Sequence, residues 1–214
     1  MSEAADERLA RYIADLFARE DDALRAIRDA HGPADLPTIH VSPSEGAILH
    51  LLLRAIGARR VLEVGTLGGY SGVWMARALP ADGRLITIDG SEKHAAVART
   101  AFARAGVADR IELRVGDALD TMQTLAGPYD AVFLDADKEP LPRYLAEALR
   151  LLRVGGLLLC DNTHLDGRVA DPSASDGDVR GMRAFNALVA ADPRLVAAVI
   201  PVRDGLLAAV RTRP

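Results

Sequence analysis

Residues 62–71 read "LEVGTLGGYS", and this stretch decides the fold. The apolar strand "RRVLEVG" runs into a glycine-rich turn and then into the helical stretch "YSGVWMARAL". In a doubly wound α/β sheet a turn of this kind lies at the carboxyl edge, where ligands bind. Glycines there let the backbone approach a ligand closely and adopt positive φ.

The same rhythm continues towards the C-terminus. "GRLITID" is a strand, "SEKHAAVARTAFARAG" a helix closed by Gly106, and "DRIELRVGD" a strand followed by a short helix through Met122 and Leu125. "YDAVFLD" is a strand, "PRYLAEALRLL" a helix and "GGLLLCDN" a strand. A polar loop, a helix over 179–191 and the strands "RLVAAVIPV" and "GLLAAVRT" complete the chain, with "RDG" marking an antiparallel hairpin at the sheet edge. Apolar strands alternating with helices predict a Rossmann-like, mostly parallel seven-stranded sheet covered on both faces. Towards the N-terminus, residues 6–30 keep helical spacing, and "SPSEGAILHLLLRAIG" reads as a helix capped by Ser42 or Ser44. Residues 1–57 are thus a helical preface to a core over 58–214, in one domain of 214 residues.

Half of the residues are hydrophobic, 26% are charged, and the net charge is −4. That balance suits a soluble globular protein and gives no basic surface for nucleic acid or an anionic membrane. No apolar run approaches the roughly 18 residues of a membrane span. The N-terminus lacks the apolar core of a signal peptide. A single cysteine, Cys160, excludes an internal disulfide and suits a reducing cytoplasm.

Asp89 ends the second strand, 24 residues after Gly65. A carboxylate there can accept both hydroxyls of a ribose, so the pair suggests a nucleoside cofactor. The nicotinamide fingerprint needs glycine at position 67, which is Leu67. Glu63, just before the first glycine, suits an amino-bearing ligand better than a pyrophosphate. S-adenosylmethionine offers a ribose, an amino group and a sulfonium. Glycines after a strand are also ordinary turn chemistry, and Asp89 could be a simple helix cap.

Asp135 closes "AVFLD", and Asp161 with Asn162 closes "LLLCDN". One helix separates these strands, so a right-handed crossover makes them neighbours. Two carboxylates and an amide oxygen would then share one locus, a hard-oxygen set suited to Mg²⁺, with Ca²⁺ or Mn²⁺ as alternatives. The same residues also occur as turn and cap chemistry. Of the 26 basic residues only Lys93 and Lys138 are lysines. Lysine can act as a base where arginine cannot. A nearby cation would lower the Lys138 pKa and Asp135 and Asp137 would raise it, and the sequence leaves that balance open.

"LEVGTLGGYS", "ITID", "GDAL", "FLDADK" and "LLLCDN" occur in the order and spacing of the cation-dependent O-methyltransferases, the group of the catechol and caffeoyl-CoA enzymes. From about residue 38 onward the chain resembles the bacterial branch of that family. The resemblance implies that Val41, Glu63, Gly65, Thr66 and Ser71 line the methionine end of S-adenosylmethionine, with Asp135 close by. It implies Asp89 at the ribose, Asp117 and Ala118 at the adenine, and Asp135, Asp161 and Asn162 on the divalent cation. Lys138 would be the general base, and the substrate a small catechol-like vicinal diphenol. Relatives and the amphipathic N-terminal helix together imply a homodimer.

The chain departs from the family at Leu141, where an aromatic is frequent, and at Thr163, His164 and Leu165, where tryptophan is frequent. These changes bear on the substrate, not the cofactor. His164 is a candidate substrate contact, while the other histidines, Cys160 and Trp74 read as structural. A nicotinamide-dependent oxidoreductase and a non-catalytic S-adenosylmethionine-binding protein are the alternative readings.

Overall fold

A computed structural model describes residues 3–214. The apolar runs become β1 (Arg60–Val64), β2 (Arg84–Asp89), β3 (Ile111–Val115), β4 (Tyr129–Leu134), β5 (Leu152–Cys160), β6 (Leu195–Ile200) and β7 (Leu206–Arg211). They form one sheet in the order β3-β2-β1-β4-β5-β7-β6. The first five strands are parallel, and β7 is antiparallel to both β5 and β6. The order reverses between β1 and β4, which opens the crevice where such sheets take ligands.

Strand alternation feeds two cores. Val61 of β1 packs with Leu49, Leu53, Tyr70 and Val73 on one face of the sheet. Leu62 and Val64 pack with Met122, Tyr144 and Leu145 on the other. Truncating one such fully buried leucine to alanine typically costs ~2–5 kcal/mol.

The helices are α1 (Glu3–Phe17), α2 (Asp22–Ala30), α3 (Pro43–Ala55), α4 (Tyr70–Ala78), α5 (Glu92–Arg104), α6 (Ala118–Thr124), α7 (Leu141–Leu151) and α8 (Gly177–Ala191). Ser42, not Ser44, caps α3: its hydroxyl accepts from Glu45 N while the Glu45 carboxylate accepts from Ser42 N. Gly46 lets α3 close on α4, because a Cβ there would stand 2.4 Å from the Trp74 ring.

Three boundaries differ from the sequence reading. The helical run over 6–30 is two helices, because Asp21 turns extended and caps α2 by accepting from Leu24 N. β5 begins at Leu152, ahead of Gly155 and Gly156, and α8 begins at Gly177 rather than 179. The C-terminal hairpin forms as expected, with β6 as its edge strand and β7 hydrogen-bonded to β5.

Candidate active site

The glycine turn and the end of β4 are built against each other. Gly65 has φ +104°, and a Cβ there would lie 1.9 Å from the Asp135 carbonyl oxygen. Gly65 N donates to Ile88 O at 2.9 Å, and Asp135 N donates to Val64 O at 2.8 Å. Leu67 is forced to φ +46°. Its N–H and that of Thr66 donate to Asp89 Oδ2 at 2.8 and 3.2 Å. Asp89 Oδ1 accepts from Ser91 N at 2.9 Å and faces His94 Nδ1 at 3.0 Å. Asp89 therefore anchors the glycine loop, a role that its position at a strand end does not reveal.

The loop opens on a cavity of about 870 Å³. Val41, Gly65, Thr66, Ser71, Asp89, Asp117 and Ala118 line it, together with Asp135, Lys138 and Asn162. Two expected residues lie behind this wall. Glu63 is fully buried, and the Ser71 and Thr87 hydroxyls donate to its two carboxylate oxygens. Ser71 stands between Glu63 and the cavity. Burial raises the Glu63 pKa to about 8, against the lowering effect of those two hydroxyls. Asp161 is 1% exposed.

The adjacent ends of β4 and β5 gather the acidic group. Leu134 pairs with Cys160, and Asp161 N donates to Leu134 O at 3.1 Å, so Asp135 and Asp161 lead off neighbouring strands. Asp161 Oδ1 accepts from Asn162 N at 2.8 Å, while its buried Oδ2 has no partner. Burial pushes the Asp161 pKa up to about 8, and the charges of Asp135 and Glu45 add to the shift. Lys138 Nζ donates to Asp135 Oδ1 at 3.2 Å. Burial opposes the Lys138 charge, but Asp135, Cys160 and Asp161 outweigh it, and the net shift is upward. With Asp135 so paired, the ammonium form is favoured.

Among the described residues no three His, Cys, Asp or Glu side chains converge on one point. The available set is two carboxylates and one amide. A buried carboxylate oxygen with no donor is a group that a hard cation can satisfy, so the residues suit Mg²⁺ better than a thiolate- or imidazole-seeking metal.

Several wall residues were not foreseen. His40 and His94, which the sequence suggested were structural, both line the cavity, as do Tyr70 and Arg203. His94 lies five residues after Asp89, a spacing that could have suggested contact. His164 instead packs against Gly205. Cys160 and Trp74 are buried, as expected.

A family model described as O-methyltransferase matches residues 15–212. The chain belongs to the O-methyltransferase family. Membership decides for methyl transfer over hydride transfer, and the reading of an S-adenosylmethionine-dependent O-methyltransferase holds. A relative from Niastella koreensis named catechol O-methyltransferase is 45% identical, covering 88% of this chain and 87% of its own. Another of that name from Mycobacterium tuberculosis is 47% identical, over 88% and 86% of the two chains. The crystal structure of the O-methyltransferase TomG from Streptomyces achromogenes, in complex with SAM and involved in tomaymycin synthesis, superposes with a TM-score of 0.92. That protein is 42% identical, with 100% of both chains covered.

Proposed function

We propose that this chain, acting as one domain, transfers a methyl group from S-adenosylmethionine to one hydroxyl of a small vicinal diphenol, with a divalent cation at Asp135, Asp161 and Asn162. The observation that carries the reading is the Asp135–Lys138 pair on the cavity that the glycine loop opens, with the buried, half-unpartnered Asp161 behind that wall. Two relatives named catechol O-methyltransferase support the substrate class.

In this reading Val41, Thr66 and Ser71 surround the methionine end of the donor, with Glu63 acting on its amino group through Ser71. Gly65 gives the close backbone approach. Asp89 receives the ribose, sharing oxygens that already hold the glycine loop, and Asp117 and Ala118 border the adenine. When bound, a divalent cation supplies Lewis acidity that favours ionised phenol oxygens. A free phenol ionises near pH ~10, so little phenolate exists unaided at neutral pH. Lys138 is placed to receive the phenolic proton as a neutral amine, after its ammonium proton has passed to solvent once a cation takes over the Asp135 charge. No covalent enzyme intermediate is required, and positioning and charge carry the rate.

We further place the enzyme in the cytoplasm as a homodimer. α1 exposes Leu9, Tyr12, Ile13, Leu16 and Phe17, the last at 77%, and a second copy would cover them. Light scattering on the full chain tests this. For the reaction, product mass after incubation with catechol and S-adenosylmethionine should rise by one methyl group, stop with EDTA and resume with Mg²⁺. Full turnover in chelator would refute the cation. Binding of S-adenosylhomocysteine without turnover on any diphenol would refute the diphenol substrate class.

A further inference from the structure

Lys138 and Arg203 are the two Lys or Arg side chains on the cavity wall among the described residues. Lys138 pairs with Asp135. Arg203 comes from the turn between β6 and β7, where it holds φ +47°. Its guanidinium reaches the opposite end of the chain. Nη1 donates to His40 O at 2.7 Å and stands 3.7 Å from Glu45 Oε2. Glu45 is fully buried; its Oε2 accepts from Ser42 N at 2.5 Å and its Oε1 has no partner.

The same turn is fastened to the loop after β5. Thr163 N and Oγ1 donate to Gly205 O at 3.0 and 2.9 Å, and His164 N donates to Asp204 O at 2.9 Å. Asp166 N donates to Asp204 Oδ1 at 2.7 Å. Gly205 fits tightly there, since a Cβ would lie 2.6 Å from Thr163 Oγ1. Three segments are therefore tied in series: 40–45, which carries Val41; 203–205; and 161–166, which carries Asp161 and Asn162. Arg203 joins the first to the second.

We propose that Arg203 is a positioning residue for methyl transfer, fixing the spacing between the donor wall at Val41 and the acceptor loop at Asp161 and Asn162. The inference rests on the proposed function, because spacing matters only if a methyl group crosses between those walls. In-line transfer needs reacting atoms ~3–3.5 Å apart, and a displacement of about 1 Å can lower the rate ~100-fold. The Ser42–Glu45 capping box and the hairpin hydrogen bonds do not use the Arg203 side chain. Without it the two walls keep their local structure but lose their mutual register. Glu45 is fully buried and would lose its ion-pair partner, so Arg203→Ala also costs stability.

The test compares the full chain with Arg203→Ala and Arg203→Lys. Melting temperature, S-adenosylhomocysteine affinity without metal, amide exchange over residues 38–46, and kcat and KM for catechol with Mg²⁺ are measured. Arg203→Ala should melt below the parent, because the buried Glu45 loses its cation. At a temperature where it is fully folded it should still exchange faster over 38–46 and lose ~10–100-fold in kcat with a smaller change in KM. Arg203→Lys should recover part of that kcat, because an ammonium can also donate to the His40 carbonyl. Parental kcat or parental exchange in Arg203→Ala would overturn the proposal. So would a kcat loss that vanishes once both variants are assayed well below their melting temperatures. If the parent binds S-adenosylhomocysteine but methylates no diphenol, the proposed function fails, while the exchange measurement still decides whether Arg203 ties 38–46 down.

Discussion

Replacing Glu63 with glutamine should make the ligand-free protein more stable at alkaline pH and change little in acid. Glu63 is completely buried between Ser71 and Thr87, and burial lifts its pKa from 4.5 to about 8. Between those values the unfolded chain releases the proton and the folded chain keeps it. The folded state binds more protons there, so stability is full below pH ~4.5 and falls as pH rises towards 8. A span of roughly 3.5 pH units at 1.36 kcal/mol each gives a ceiling of ~5 kcal/mol. Glutamine does not titrate, and its amide can accept from one hydroxyl and donate to the other. Urea unfolding at pH 5 and pH 8.5 should therefore show Glu63→Gln gaining at least ~2 kcal/mol on the parent at the higher pH. Asp161 titrates equally in both proteins and drops out of the comparison. A variant that trails the parent by the same amount at both pH values would refute the reasoning.

Gly65→Ala should lose ~2–5 kcal/mol, because its Cβ would meet the Asp135 carbonyl at 1.9 Å in a backbone that disfavours side chains. Calorimetry should register a melting temperature lower by ~5–15 °C, with S-adenosylhomocysteine binding abolished. Lys138→Ala should reduce kcat ~10²–10⁴-fold while S-adenosylhomocysteine affinity stays within a few fold, and unchanged turnover would remove Lys138 from proton transfer. Asp161→Asn should have opposite effects on stability and activity. The Asp161 pKa is lifted to about 8, so its carboxylate weakens the metal-free fold progressively as pH rises to that value. The asparagine variant should melt higher than the parent at pH 8.5 without metal, yet lose methyl transfer and its response to Mg²⁺.

Much of the sheet could be read from sequence because each buried strand is a short apolar run with punctuation at both ends. The glycine turn, Asp89, and the Asp135 and Asp161–Asn162 strand ends are legible for the same reason: they are ends of such runs. The division between α1 and α2 was hidden because Asp21 interrupts an apolar period that resumes in phase. Glu63 could have been placed by alternation. It shares a strand face with Val61, which looks into the α3–α4 core, so its carboxylate points beneath the loop and not into the cavity. Arg203 had no local signal, since its contacts with His40 and Glu45 span most of the chain. The Lys138 charge balance needed geometry too: Asp135 is within hydrogen-bonding distance, whereas the sequence offered Asp135 and Asp137 equally.

The fastening of Thr163, His164 and Asp166 to Asp204 and Gly205 has a bearing on biosynthesis. Gly205 follows Thr163 by 42 residues, and β5 gains its second neighbour only when β7 arrives. A growing polypeptide can pair β1, β2 and β3 before the 203–205 turn is made. The 161–166 loop is fastened only once that turn exists, so this side of the proposed site takes shape later than the glycine loop.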